Sequence, residues 1–279
     1  VATRGILREA TRSLLAETKS ERFRMLGLGL GVPGIVVGPS GDSDDAVIHA
    51  DVIGWHSVDL SGLADDLGFP VYIDNGAKTT TQAEFWAGSA RGLDHAIVVL
   101  IGEGVGAGVI TDGRLYRGSS SSAGEWGHTK ISFDGPACRC GSRGCVESYV
   151  GASAVLEGWR GGEPWAGREV PGIEALLAAW RAGEEGARYA VERLVDQLGL
   201  GLSNLVNLYN PQKIFIGGWF GDRIATELLA ELQCATRSYS LKQPGAEAVL
   251  ERSTLRQDAV ALGAATLPVD RFIESGWPH

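Results

Sequence analysis

Four side chains that favour soft divalent metals crowd into one stretch: His128, Cys138, Cys140 and Cys145. Three of the chain's four cysteines fall inside eight residues, and the histidine stands ten positions before the first of them. Three thiolates and an imidazole suit a tetrahedral Zn²⁺ held by sulfur and nitrogen. Gly141 and Gly144 stand where a chain turning tightly around a metal needs positive φ. The plainer alternative is a group of reduced cysteines with no ion. Either way, the rest of the chain has to fold around this knot.

At 279 residues the chain can bury two cores, and a hydrophobic content of 44% fits a globular protein. No apolar run reaches membrane-spanning length, and no basic-then-apolar leader is visible. Clustered cysteines suit a metal site in a reducing cytoplasm better than a disulfide framework. Cys234 lies in a helical pattern and is expected to be a buried apolar residue. A net charge of −9 argues against a nucleic-acid surface in this segment, because DNA affinity comes from neutralising phosphates. Forty glycines, about twice the usual share, gather at turns and strand ends, as where backbone passes close to ligands. The chain opens on Val1 directly in a helical pattern, and is expected to be a piece of a longer protein.

Residues 3–17 read as an amphipathic helix with Ile6, Leu7, Ala10, Leu14 and Leu15 on one face. A strand is predicted from Met25 to Val32, and 35–58 reads as irregular or weakly stranded. A helix over 60–67, a strand over 70–73 and a helix from Asn75 to about Ala87 follow. Ala96–Ile101 is a continuous apolar run suited to a buried strand. A second strand passes through Val109 and Ile110 to a turn at Asp112-Gly113. Beyond the cysteines, helices are predicted over 147–156, 173–181, 184–209, 222–238 and 258–266. A strand is predicted at 213–216 and a surface loop over 158–172. Strands alternating with helices indicate an α/β protein of two similar lobes.

The run from Gly102 to Gly108 lies between two strands, not between a strand and a helix, so it fails as a dinucleotide fingerprint. A glycine hairpin can still offer backbone N–H groups to phosphates through Gly102, Gly104 and Gly106. A tight turn with no ligand is the alternative. Glu125, His128 and Glu147 flank the knot, and carboxylates with an imidazole can fix several hydroxyls at once, as sugar recognition requires. A surface charge at Glu125 and a dipole-favoured first-turn position at Glu147 are the alternatives.

Gly124-Glu-Trp-Gly-His128, followed by Cys138-x-Cys-Gly-x-x-Gly-Cys-x-Glu147, resembles the signature of the ROK family (repressors, open reading frames, sugar kinases). Further landmarks stand in order. They are Gly29-Leu-Gly-Val-Pro-Gly34, Val71-Tyr-Ile-Asp-Asn75, the 102–108 hairpin with 112–118, the segment from Asn210 to Gly218, and the ending Ala259 to Ala265. The resemblance implies an α/β, two-lobed actin-like ATPase (ribonuclease H-like) fold with sugar bound in the cleft. It implies His128, Cys138, Cys140 and Cys145 as ligands of a structural Zn²⁺, and Asn75, Glu125, His128 and Glu147 as sugar contacts. The metal would brace the loop that presents those contacts. On this reading residues 1–90 are the remainder of an incomplete N-terminal lobe. Residues 91–279 are a C-terminal lobe with the zinc loop and a late helix returning to the first lobe.

Family kinases carry Asn-Asp in the segment matching Asp74-Asn75-Gly76, the aspartate taking the proton of the sugar hydroxyl. Gly76 has no side chain, and Asp74, at a strand end, is expected to point elsewhere. The kinases place Thr where this chain has Glu103, a carboxylate that would repel a triphosphate; the alternative is that it swings into solvent and matters little. No Asp-x-Gly-x-Thr motif precedes Met25. The resemblance therefore implies no catalytic residue, no use of ATP, and only a phosphate-loop remnant at Gly102, Gly104 and Gly106. It implies the effector-binding, dimerising core of a sugar-sensing cytoplasmic transcriptional regulator. DNA would be reached only through an upstream winged helix-turn-helix, as a homodimer or higher homo-oligomer and away from membranes. An ATP-dependent hexose kinase and an interaction module that binds no sugar are the alternatives. Asp51, Trp55 and His56 are candidate pocket neighbours or plain surface residues.

Overall fold

The computed structural model describes residues 2–17, 25–37, 46–50 and 53–275. The periodic apolar residues near the start form helix α1 (Ala2–Glu17), but much of its apolar face is open. Ile6 and Leu14 are exposed while Thr11 is buried. Leu7 does pack on the first core, and Arg4 ties the helix down through the Gly62 carbonyl at 3.0 Å and Asp66 at 2.8 Å.

Strand β1 (Leu28–Val32) is followed by β2 (Ile35–Val37), β3 (Val47–Ala50) and β4 (Trp55–Asp59), which form an antiparallel sheet in the order β2-β3-β4. The 35–58 stretch is therefore more ordered than its sequence suggests. Strands of three to five residues are too short to display a clear two-residue alternation. After α2 (Leu63–Leu67), strand β5 (Val71–Asn75) runs parallel to β1, with Leu28 opposite Val71 and Val32 opposite Asn75. Val36, Ile48, Leu60, Leu63, Val71 and Ile73 make a core of their own. Trp55 packs against it and His56 is exposed on β4; Asp51 lies outside the described residues.

Helix α3 (Gly76–Ala87) starts immediately, with Asn75 as its cap. The apolar run becomes β6 (Ala96–Ile101), which pairs antiparallel with β7 (Val105–Thr111), Ala96 opposite Ile110. It is apolar throughout because both faces are covered. Ile97, Val99 and Ile101 enter the main core, whereas Ala96 and Val98 pack with Phe215 on the other side. Strand β8 (Arg114–Leu115) pairs antiparallel with β7, Ile110 opposite Leu115.

Helices α4 (Glu147–Val150) and α5 (Ala152–Trp159) divide the single helix expected over 147–156, because Gly151 between them is extended. Helix α6 (Glu169–Arg181) begins inside the loop expected over 158–172, and α7 (Glu185–Tyr209) follows. Strand β9 (Lys213–Gly217) lies parallel to β6. Helix α8 (Trp219–Tyr239) starts earlier than expected and leaves Cys234 exposed rather than buried; Leu228, Leu232 and Thr236 face the core instead. The short α9 (Lys242–Glu247) and β10 (Val249–Arg252) were not foreseen, and β10 completes the sheet order β10-β9-β6-β7-β8.

Helix α10 (Ala259–Ser275) runs well past the expected end and crosses both α3 and β1. Glycines permit that crossing: a Cβ on Gly263 would overlap the Thr79 backbone, and one on Gly29 the Ala264 backbone. The last helix is thereby locked to the first strands. No described helix is long and apolar enough to cross a membrane.

Candidate functional site

The ligand-type atoms of His128, Cys138, Cys140 and Cys145 all lie within 4.8 Å of one another. His128 Nδ1 stands 3.6 Å from Cys138 Sγ, and Cys140 Sγ 3.7 Å from Cys145 Sγ. Zn–S bonds near 2.3 Å and Zn–N bonds near 2.0–2.1 Å span tetrahedral edges of about 3.5–3.8 Å. The four side chains could therefore hold one such ion, and sulfurs this far apart form no disulfide. Gly141 and Gly144 take the positive φ expected of them, 83° and 69°. Burial pushes the Cys138 thiol up to about 12, a penalty that binding a divalent cation would reverse. Lys130 donates to Cys145 Sγ and to the His128 carbonyl, both at 2.9 Å. Its cation would offset the single net negative charge that three thiolates would leave on a divalent ion held there.

The segment Gly124–His128 is pressed onto β7. The Ala107 N–H donates to the Gly124 carbonyl at 2.9 Å, and a Cβ on either Gly124 or Gly127 would strike the β7 backbone. Trp126 is buried, with its indole N–H bonded to the Gly201 carbonyl on α7 at 3.0 Å. That anchor leaves Glu125 beside His128, Glu147 and Lys78, whose charges it feels. Burial raises the Glu125 carboxyl above its ordinary value, with His128 and Lys78 opposing that shift and Glu147 adding to it.

Glu147, the first residue of α4, is buried. One oxygen accepts the Val105 N–H at 2.9 Å and the other meets Arg139 Nε at 3.0 Å. Arg139, between two of the cysteines, also donates to the Glu103 carbonyl at 2.8 Å. The knot is thus joined to the glycine turn. The Glu103 side chain itself is exposed. Gly104 lies against Glu147, and Gly102 against Trp219, whose Nε1 would stand 2.9 Å from a Cβ there. Gly106 faces Ala77 of α3.

Asn75 has a structural duty that sequence reasoning did not anticipate. Its Oδ1 caps α3, accepting the Ala77 N–H at 2.8 Å and the Lys78 N–H at 3.3 Å, while Nδ2 donates to the Gly34 carbonyl at 2.6 Å. One amide proton remains for a ligand. The Asp74 carboxylate is already engaged by its neighbours. It is buried, accepts the Asn75 N–H at 2.8 Å and pairs with Arg117 at 2.5 Å. Two further residues escaped notice. Lys78 is buried and donates to the Ser121 carbonyl; burial lowers its pKa, while Asp74 and Glu125 oppose that shift. Glu84, fully buried on α3, accepts from Ser253 Oγ and from the backbone N–H groups of Ser89, Thr254 and Leu255 at 2.8, 2.9 and 3.0 Å. The Asp74–Arg117 pair also walls a crevice of about 620 Å³ between β5, α3, β8 and α10.

Parallel and antiparallel strands covered by helices, with α10 packed back on β1 and α3, make the actin-like ATPase fold. The sequence model of the ROK family matches residues 2–271, and the chain belongs to that family. It is 30% identical over 276 residues to a xylose repressor of Bacillus subtilis, covering 98% of this chain and 68% of that one. It is 28% identical over 295 residues to a glucokinase of Thermotoga maritima, covering 96% and 91% of the two chains. Among solved structures, the ROK hexokinase of Thermus thermophilus superposes with a TM-score of 0.80 at 27% identity, covering 98% of this chain and 87% of that one. The chain spans about two thirds of the length of the xylose repressors it matches.

Proposed function

We propose that the chain is the sugar-binding core of a ROK transcriptional regulator that does not phosphorylate its sugar. Gly76 carries this reading: the first residue of α3, next to the cap Asn75, has no group to take a proton from a hydroxyl. Two features support it. The turn at 102–104 bears the exposed carboxylate of Glu103, and Trp219 lies against Gly102 where phosphates would approach. Meanwhile Glu125, His128 and Glu147 remain grouped around the Cys/His set. The reading assigns hydroxyl recognition to these three with Asn75, and assigns the metal, as Zn²⁺, the task of bracing their loop.

Residues 1–90 and 91–279 are taken as two lobes, supported by their separate cores. The ligand class is a neutral aldose, the xylose repressors among the relatives favouring a pentose. Sugar binding would act by changing the angle between the lobes, and through a homodimer would alter the spacing of DNA-binding segments carried elsewhere in the full protein. A hexose kinase is the second reading, favoured by the match over nearly the whole length of the Thermotoga glucokinase. The test is calorimetry with D-xylose and D-glucose, together with an ADP-release assay with Mg-ATP, on the full-length protein. Binding without sugar-dependent ADP release is expected; turnover above background would overturn the proposal.

A further inference from the structure

The loop between β8 and Trp126 delivers Glu125 to the site, yet it has little means of holding its own shape. From Gly118 to Gly124 it consists of glycine, serine and one alanine. Gly118, Ser121 and Gly124 adopt positive φ of 73°, 58° and 96°. Within the loop, the Ala123 N–H reaches the Arg117 carbonyl at 3.0 Å. Such a sequence is ordinarily flexible.

Its end at Gly124 is bonded to β7, while its start and middle are held from β5 and α3. Arg117, at the loop's start, pairs with Asp74 on β5 at 2.5 Å and reaches Ser121 Oγ at 3.4 Å. The loop's middle is held by Lys78, whose ammonium donates to the Ser121 carbonyl. Lys78 is only 2% exposed. A cation at that depth persists only where acceptors and opposite charges meet it. Here these are the Ser121 carbonyl and the carboxylates of Asp74 and Glu125, with the Arg117 charge opposing them. Both attachments arise within the five residues 74–78, which also contain Asn75. They join the two parts of the proposed sugar site directly.

We propose that Lys78 and Arg117 strap the Glu125 loop to the strand end bearing Asn75, making Lys78 a positioning residue of the sugar site. This rests on the reading of Glu125 as a sugar contact. Lys78 acts through the loop and on the Glu125 carboxylate beside it. Gly124 and Trp126 hold the backbone on either side. Without the strap, the loop before Glu125 and its side chain are freed, so the carboxylate occupies its binding position for only a fraction of the time. Affinity falls by that fraction.

The experiment uses the full-length protein in three forms: unaltered, Lys78→Met and Arg117→Gln. Amide hydrogen exchange over 118–123 is measured without sugar, and affinity for D-xylose and D-glucose by calorimetry. Exchange at least about tenfold faster in 118–123 and affinity at least about tenfold weaker are expected in both variants, with metal content and exchange in α7 unchanged. The double variant should lose less than the product of the single losses, since both cut one strap. Unchanged exchange over 118–123 would overturn the strap, and faster exchange with unaltered affinity would overturn the positioning role. If Lys78→Met fails to fold, Arg117→Gln decides both points. Failure of the unaltered protein to bind either sugar would instead overturn the sugar-site reading, and the exchange arm would still judge the strap.

Discussion

Gly76→Asp returns a carboxylate to the place where the family's kinases are expected to keep their base. The backbone can take it: a Cβ at Gly76 would meet only the Val32 carbonyl oxygen at 3.6 Å and Leu100 Cδ2 at 4.0 Å, and φ is not in the left-handed region. Loss of glycine's freedom in the unfolded chain stabilises by about 0.4–1 kcal/mol. A carboxylate in the first turn of α3 adds about 0.3–1 kcal/mol, offset in part by Asp74 and Glu125 nearby. A net gain of about 1 kcal/mol is expected. Chemistry is a separate matter. A positioned general base contributes about 10²–10⁴ in rate, so if only the base were missing, turnover would rise by that factor. Glu103 opposes it: two unit charges about 5 Å apart at an effective dielectric near 20 repel by about 3 kcal/mol, roughly a hundredfold in nucleotide affinity. Trp219, lying against Gly102, would crowd a phosphate approaching that turn. The variant should melt slightly higher, bind sugar, and release no ADP with D-glucose and Mg-ATP. Robust sugar-dependent turnover in Gly76→Asp would refute the argument from Glu103 and Trp219.

Other expectations follow from the same geometry. Cys140→Ser removes one donor of four and should bring metal content, read by elemental analysis, well below one ion per chain. Sugar affinity should fall with it, and unchanged affinity in metal-free protein would refute the bracing role. Glu125 has its carboxyl raised above 4.5 by burial, so the native protein takes up that proton before the unfolded chain does. Its charge costs stability at neutral pH, and that cost is relieved as pH falls from above the folded pKa to below the unfolded one. Sugar affinity should move oppositely, declining on acidification while pH is still above 4.5; titration calorimetry with metal content monitored checks this, and a flat profile would contradict it. Glu84→Ala strips acceptors from a buried set of donors and should cost about 3–5 kcal/mol in urea unfolding. A loss under about 1 kcal/mol would show those bonds to be replaceable by water.

What could be read in advance was chemistry that is local along the chain. The metal knot announces itself because its donors and its turn glycines lie within eighteen residues, and 96–101 because a strand buried on both faces is apolar throughout. The glycines of Gly124-Glu-Trp-Gly-His128 are explained only in space, by the closeness of β7. Lys78 and Ser121 are 43 positions apart, and Glu84 and Ser253 are 169 apart. Neither lysine nor glutamate in a helical pattern signals burial, so a sequence reader places both on the surface. Cys234 went wrong in the opposite sense, since a helical position is inside or outside according to which face its neighbours cover. In α8 that covering is decided by the pairing with α7 and β10.

The same geometry explains how kinases and repressors can share one scaffold. The residues grouped for hydroxyl recognition are held by bonds that do not involve position 76. Glu147 is fixed by Val105 and Arg139, the Glu125 backbone by the Trp126 anchor on α7 and its loop by Lys78 and Arg117, and Asn75 by capping α3 and binding Gly34. Since the cap comes from Asn75, α3 starts at the same place whether aspartate or glycine follows it. On the proposed reading, loss of the base would leave the binding framework intact, and so would a change at Glu103, which contributes only its backbone carbonyl to the knot. Binding and phosphoryl transfer would then be separable by substitutions at two positions whose side chains make no bond that holds this framework.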